Sequence, residues 1–136
     1  MSLLKKIDAQ TNVVTWFEIP VSDIERAKAF YETILDIELV KRNDGGVEAL
    51  FFPYNPEVVQ ATSGRVTGVL SKSDRNQPSG NGTVVYINAS PDLQKVLDKV
   101  GPAGGKVVVP KTLIPAGFIG IIIDSEGNKV GLHAEQ

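Results

Sequence analysis

The chain has 136 residues, of which 42% are hydrophobic and 22% are charged, and its formal net charge at pH 7 is −2. These values predict a single globular domain, and they give no electrostatic reason to expect a nucleic acid or a membrane as partner. The absence of cysteine excludes disulfides, thiolate metal ligands and a cysteine nucleophile. No apolar run reaches bilayer length and no targeting segment is visible, so we expect a cytoplasmic protein.

The first part of the chain, about residues 12–73, predicts a module with the order βαβββ. An apolar strand runs into a Ser or Asp cap and then into an amphipathic helix. Asn43-Asp44-Gly45-Gly46 is a hairpin turn signal, and residues 73–82 have the composition of a linker. The predicted elements are a strand at 12–20, a helix from Ser22 or Asp23 to about Leu35, and strands at 37–42, 47–52 and 65–71.

The second part, about residues 82–134, repeats the same order of elements. Two similar halves suggest one domain built from a repeated unit, with a pocket between the halves. Pro110 to Gly117 contains two prolines and is expected to be a loop. The predicted elements are a strand at 83–89, a helix at 91–100, and strands at 106–109, 118–123 and 129–134.

Three segments of the chain resemble the vicinal oxygen chelate superfamily, which includes glyoxalase I, bleomycin-resistance proteins and extradiol dioxygenases. They are Phe17-Glu18-Ile19-Pro20 through Phe30-Tyr31, Ala103-Gly104-Gly105-Lys106-Val107, and Asp124-Ser125-Glu126-Gly127-Asn128-Lys129-Val130-Gly131-Leu132. The resemblance spans residues 12–134. It implies an α+β fold of two tandem βαβββ modules, with eight mostly antiparallel strands curved around a cleft, and assembly as a homodimer.

The superfamily's metal ligands are His or Glu residues at inward-facing strand positions, and this sequence departs from that pattern. By resemblance these positions correspond to Trp16, Val84, Gly131 and one residue within Val66–Ser71. Indole, isopropyl and hydrogen offer no lone pair to a divalent cation. We therefore interpret the chain as a glyoxalase-like member without the usual metal site and expect no metal cofactor.

Strand alternation directs Trp16 and Glu18 to the inward face of the first strand. Trp16, the only tryptophan, is either a flat wall on which a planar ligand stacks or a plug that fills the cleft. Glu18 is either an acid–base group or a structural carboxylate that pairs with a Lys or Arg or caps backbone groups at the module interface. His133, the only histidine, is either a general base beside Gly131 or a half-solvated residue at the end of a strand.

The second module supplies the further ligand-binding candidates Tyr86, Asn88, Phe118, Gly120 and Gly131. Tyr86 and Asn88 are predicted to face the cleft, where they bind a ligand or pack across strands. Gly120 is expected either to leave room on the cleft side or to allow a bulge. Phe118 is expected at the cleft mouth, next to residues 111–117, which form either a lid or an ordinary loop.

Three functional hypotheses remain open at this stage, and the sequence does not decide whether the protein is an enzyme. The first is a metal-free protein that binds a small, mostly apolar molecule. The second is a relative of lactoylglutathione lyase that performs metal-free acid–base chemistry through Glu18, helped by His133 or Tyr86. The third retains a divalent metal in a lyase or dioxygenase. The third hypothesis would need ligands from His133, Glu18, Glu48, Glu135 and water.

Overall fold

The computed structural model describes residues 6–44 and 47–136, without the side chains of residues 43, 44 and 47. It shows two βαβββ modules, as predicted. The elements of the first are β1 (Trp16–Pro20), α1 (Ile24–Leu35), β2 (Val40–Asp44), β3 (Val47–Phe51) and β4 (Thr67–Lys72). Those of the second are β5 (Tyr86–Asn88), α2 (Leu93–Val100), β6 (Lys106–Ile114), β7 (Gly117–Ile123) and β8 (Lys129–Ala134). Neither helix in the described part of the chain is long and apolar enough to cross a membrane.

Each module forms its own four-stranded mixed sheet, in the orders β1-β4-β3-β2 and β5-β8-β7-β6. The first and last strands of each module pair in parallel, and the remaining neighbours pair antiparallel. β1 and β5, which are both fully described, are therefore edge strands, and no Cα atom of one lies within 8 Å of a Cα atom of the other. The two sheets do not close into a barrel, and an open seam separates β1 from β5.

The two helices begin at the predicted kind of cap and bury the predicted apolar stripes. The carboxylate of Asp23 accepts a hydrogen bond from the backbone N–H of Arg26, and that of Asp92 accepts one from Gln94. The stripes pack into the hydrophobic core, and this packing fixes the position of each helix. The buried residues are Ile24, Ala27, Phe30, Tyr31 and Ile34 in α1 and Leu93, Val96, Leu97 and Val100 in α2.

The predicted loop at residues 110–117 is wrong, because β6 continues through Pro110 to Ile114 and pairs with β7. β6 is the edge strand of its sheet, where the missing N–H of a proline need not interrupt the ladder. Register shifts on both sides of Val109 absorb the irregularity. The segment is therefore a paired strand and turn, and neither of the two alternatives considered for it, a lid or an ordinary loop, is correct.

The predicted hairpin in the first module is formed by β2 and β3, in which Val40 pairs with Phe51 and Asp44 with Val47. Gly45 and Gly46, the centre of the predicted turn, lie outside the described residues.

The two modules are joined at one end of the seam by residues 124–128, between β7 and β8, which we call the docking turn. Asn128 Nδ2 donates to the carbonyl oxygen of Pro20 at 2.7 Å. The buried hydroxyl of Tyr31 donates to Asp124 Oδ2 at 2.6 Å. A segment that appears in the sequence analysis only as part of a family motif thus holds the second module against β1 and α1 of the first.

Glu126 makes a second set of bonds from the docking turn to the first module. Its Oε1 accepts from the backbone N–H groups of Ser22 and Asp23 at 2.9 and 2.8 Å, and its carboxylate binds the Arg26 guanidinium at 2.7 and 3.0 Å. Burial alone would raise the pKa of Glu126, but Arg26 and the two backbone donors outweigh it and lower the pKa from 4.5 to about 2. The carboxylate therefore stays ionised at the amino terminus of α1, where negative charge is favoured.

Candidate functional site

A groove with a volume of about 960 Å³ opens at the seam between β1 and β5. Val14, Val66 and Val84 contribute to its apolar lining, and Trp16 and Tyr86 lie on its two sides. Trp16 is 42% exposed and Tyr86 is 49% exposed. Trp16 therefore forms a wall of the groove and leaves the groove open.

The groove extends inward from the seam to the layer between the sheets and the helices. Leu35 and Ile37, at and beyond the end of α1, contribute to its lining, as do Phe52 and Val96. These four side chains also belong to the hydrophobic core or pack against it. A ligand in the groove would thus contact both surface and core side chains.

The docking turn of the second module bonds to the first module, but among the described residues the equivalent connection of the first module does not bond to the second in the same way. The groove lies at the end of the seam where the described chain lacks this bond. The docking turn binds the carboxyl-terminal end of β1, whereas the groove is lined by β1 from Trp16 to Glu18. The equivalent connection in the first module, residues 52–66 between β3 and β4, makes no hydrogen bond to residues 88–95 within the described chain. The seam is therefore held at one end and open at the other.

Glu18 lies on the seam and its side chain lines the groove. Its Oε1 accepts a hydrogen bond from Ser71 Oγ at 2.9 Å. Among the described residues, no Lys or Arg forms an ion pair with Glu18 and no donor bonds its Oε2. Within the described part of the chain, Glu18 is thus not the ion-paired carboxylate considered above, and its Oε2 has no hydrogen-bond donor.

Tyr86 and Asn88 also line the groove, together with Ile87 between them. The ring of Tyr86 lies over Gly131, where an added Cβ atom would come within 2.4 Å of a ring carbon. Gly131 therefore lets the aromatic ring lie against the sheet. Asn88 Oδ1 accepts from the backbone N–H of Ser90 at 3.0 Å, so one role of this amide is to hold the turn that leads to α2.

Two other candidates face away from the cleft. An added Cβ atom at Gly120 would lie 3.0 Å from a methyl group of Leu97 in α2. Phe118, on the same side of β7, packs against the hydrophobic core. The predicted cleft orientation of Gly120 and Phe118 is therefore wrong, since this face of β7 is covered by a helix.

His133 is held by a backbone group. Its Nε2 lies 2.6 Å from the carbonyl oxygen of Ala116, at the turn between β6 and β7. His133 does not line the groove, although it shares a strand with Gly131. The structure brings Trp16, Glu18, Tyr86 and Asn88 to the groove, whereas His133, the register partner of Asn88 in the neighbouring strand β8, is not among the lining residues.

The sequence analysis missed a cluster beside the groove that we call the aromatic row, formed by Trp16, Phe51 and Tyr54. The ring centroids of Trp16 and Phe51 are 5.5 Å apart, and those of Phe51 and Tyr54 are 5.7 Å apart. Arg42 Cζ lies 5.4 Å from the centroid of Phe51 and 5.5 Å from that of Tyr54. The hairpin register was the available signal, because it places Arg42 on the same sheet face as Phe51.

The positions of the superfamily's metal ligands do not fit a divalent cation in this chain. Trp16, Val84 and Gly131 offer no oxygen or imidazole ligand, and the Tyr86 ring occupies the space over Gly131. In the described part of the chain, no three His, Asp or Glu side chains are placed to hold a metal ion together. No metal-dependent step is therefore assigned to these residues.

Two tandem βαβββ modules with a groove at their seam define the class of this protein. A family model of the Glyoxalase/Bleomycin resistance protein/Dioxygenase superfamily matches residues 13–132. The chain belongs to this superfamily, as the sequence resemblance indicates. No curated protein matches the chain.

Solved structures of the same fold support this assignment. A mutant of glyoxalase I from Zea mays matches at 23% identity with a TM-score of 0.64, over 88% of this chain and 45% of the maize chain. A glyoxylase/bleomycin resistance protein/dioxygenase domain from Frankia sp. EAN1pec matches at 16% identity with a TM-score of 0.65, over 92% and 98% of the two chains. A glyoxalase-related enzyme from Fulvimarina pelagi matches at 16% identity with a TM-score of 0.63, over 88% and 85%. This chain spans about half of the maize protein, and at these identities the likeness shows the fold.

Proposed function

We propose that this protein binds a small, largely apolar molecule in the groove between β1 and β5, without a metal ion. The observation that carries the proposal is a groove of about 960 Å³ with Trp16 and Tyr86 exposed on its sides. Ligand sites are typically clefts of roughly 300–1,000 Å³, mostly apolar and with a few polar groups that fix orientation. Glu18 and Asn88 are such polar groups here.

The aromatic side chains favour a planar ligand. Indole and phenol rings offer large, rigid contact surfaces and prefer offset or edge-on contact with another ring. Trp16 already contacts Phe51 edge-on, at an interplanar angle of 61°. A planar molecule in the groove can stack on the exposed part of Trp16 without displacing a core side chain.

The test is a titration with N-phenyl-1-naphthylamine, a neutral planar probe whose fluorescence rises in apolar surroundings. Energy transfer from Trp16, the only tryptophan, reports binding close to the groove. The variant Val66→Asp places a charge in the groove lining, and Val59→Asp makes the same change at an exposed valine outside it. These valines are 37% and 41% exposed, so the two variants are closely matched.

We expect saturable binding that Val66→Asp weakens by about tenfold, since a bound apolar ligand would cover the new carboxylate and remove it from water. Val59→Asp should bind as the wild type does. No saturable binding, or equal weakening in both variants, would reject the groove as the site.

A second candidate function is metal-free acid–base chemistry at Glu18, in a relative of lactoylglutathione lyase. The observation that favours it is a groove-lining carboxylate, Glu18, whose Oε2 has no hydrogen-bond donor among the described residues. A carboxylate within hydrogen-bond reach of a substrate proton can accept that proton. The test is formation of lactoylglutathione in the presence of a chelator, with Glu18→Gln compared with the exposed Glu48→Gln. Turnover that disappears only in Glu18→Gln supports the enzyme, and absence of turnover in the wild type rejects it.

A further inference from the structure

The aromatic row connects the groove to Arg42 along one face of the first sheet. Glu18 pairs with Val69, Val69 with Phe51, and Arg42 with Ala49, so residues of all four strands share this face. Trp16 contacts Phe51, and Phe51 contacts the Arg42 guanidinium. A planar molecule that stacks on Trp16 is therefore separated from the positive charge of Arg42 by the ring of Phe51.

Some N–H donors of the Arg42 guanidinium have no acceptor among the described residues. A guanidinium carries five N–H donors, and the bond that Arg42 makes within the described residues goes to the hydroxyl of Tyr54. No described carboxylate forms an ion pair with it. Arg26 differs in this respect, because its guanidinium is bound by Glu126. Among the described side chains, Arg42 is thus an exposed guanidinium without an acidic partner.

Stacking on Phe51 and Tyr54 restricts the orientation of the Arg42 guanidinium. A guanidinium held against aromatic faces loses less side-chain freedom when it binds an anion, and its fork geometry suits a planar or tetrahedral oxyanion. Its attraction to an anion is also screened less where apolar rings exclude water from one side. The cluster therefore has the properties of an anion subsite.

The distance between Glu18 and Arg42 favours one orientation of an anionic ligand, with its charged group at Arg42 and away from the Glu18 carboxylate. β1 and β2 are separated by β4 and β3, so Glu18 and Arg42 lie about 14 Å apart at the usual strand spacing. An anion at Arg42 is far enough from the Glu18 carboxylate for their repulsion to be largely screened at physiological salt.

We infer that the ligand of the groove is a planar aromatic anion, whose ring stacks on Trp16 and whose acidic group binds Arg42. The inference rests on the proposed binding function and adds the chemical class of the ligand.

The experiment compares two probes that share one ring system, 8-anilinonaphthalene-1-sulfonate and the neutral N-phenyl-1-naphthylamine. We expect the wild type to bind the sulfonate about tenfold more tightly than the neutral probe. Arg42→Met keeps an apolar chain over Phe51 and removes the charge, so it should abolish this preference and leave the affinity for the neutral probe unchanged. Lys41→Met removes a charge from the neighbouring exposed position of β2, and it should change neither affinity.

The outcomes separate the inference from the proposed function. Binding of the neutral probe without a preference for the sulfonate, or a preference that survives Arg42→Met, overturns the inference and leaves the proposed function standing. Equal weakening of both probes by Arg42→Met also overturns it, because Arg42 would then only cover Phe51. Failure of both probes to bind rejects the proposed function itself. Arg42→Gln replaces Arg42→Met if the latter lowers the melting temperature.

Discussion

Asn128 Nδ2 lies 2.7 Å from the carbonyl oxygen of Pro20, and this hydrogen bond crosses the seam between the modules. The next residue, Val21, donates its N–H to Ser71 in the neighbouring strand β4, so the backbone of Pro20 faces the seam. Asn128 thus satisfies a carbonyl group on an unpaired strand edge. Within the described chain no such bond crosses the seam at Trp16 or Glu18, and the groove lies there.

Asn128→Ala is expected to lower the free energy of unfolding by about 1–3 kcal/mol, because it leaves buried polar groups without partners. The side chain donates to Pro20 and Asp124 and accepts from the backbone N–H of Ser79. Urea unfolding measures the loss. Asn81→Ala is the matched control, since no hydrogen bond involves the exposed side chain of Asn81 within the described residues. Equal stability of the two variants would contradict the role of the docking turn.

Glu126 makes the stability of the protein depend on pH in the acidic range. Its pKa is about 2 in the folded protein and 4.5 in a free side chain, so the unfolded state takes up a proton first as the pH falls. The stabilisation is complete above pH ~4.5 and is lost as the pH falls towards ~2, with a total of about 1–3 kcal/mol.

The measurement for Glu126 is urea unfolding at several pH values between 2 and 7. Glu126→Gln should be less stable than the wild type at pH 7 and should lose less stability on acidification. Parallel pH profiles of the two proteins would show that the carboxylate of Glu126 does not carry the dependence. Asp98→Asn, at an exposed position of α2, controls for a general loss of negative charge.

Gly131 and Gly120 allow the two faces of the second sheet to be compared with the same substitution. A Cβ atom at Gly131 meets the ring of Tyr86, which is half exposed and can swing away, so Gly131→Ala should cost less than about 1 kcal/mol. A Cβ atom at Gly120 meets Leu97 in the core, so Gly120→Ala should cost about 1–3 kcal/mol.

Binding of N-phenyl-1-naphthylamine separates the two glycine variants further. Gly131→Ala should weaken it several-fold by moving Tyr86, whereas folded Gly120→Ala protein should bind as the wild type does. A larger loss of stability in Gly131→Ala than in Gly120→Ala, or a larger loss of probe affinity in Gly120→Ala than in Gly131→Ala, would mean that the two faces have been assigned incorrectly.

Local signals were sufficient to predict the modules and the helices. Asp23 and Asp92 precede helical apolar stripes that the structure buries, and a cap followed by such a stripe needs no information from distant residues. The continuation of β6 beyond Pro110 was not predictable in this way. Proline argues against a central strand but not against an edge strand, and strand order is a property of the whole sheet.

The same distinction applies to the site. Alternation predicted that Trp16 and Glu18 share one face of β1, and the structure exposes these two residues while Phe17 and Ile19 pack towards the core. β7 is apolar on both faces, so its sequence pattern does not indicate which face is covered by a helix. Gly120 was therefore assigned to the wrong side. The contact between Trp16 and Phe51 joins strands far apart in sequence, and it required the folded structure.

Tyr31 predicts the behaviour of the protein in alkaline solution. Burial, and then the charge of Asp124, raise the pKa of this phenol well above its ordinary value of 10.0. The unfolded state therefore loses the tyrosine proton first as the pH rises above ~10, and stability falls from that pH upward.

Tyr31→Phe should lower the free energy of unfolding at pH 7 by about 1–2 kcal/mol, through loss of the bond to Asp124, and should reduce the alkaline loss. Tyr86→Phe, which removes a half-exposed hydroxyl, should leave both quantities unchanged in denaturant titrations at pH 7 and ~11. An alkaline loss that is the same in the wild type and Tyr31→Phe would show that another group controls it.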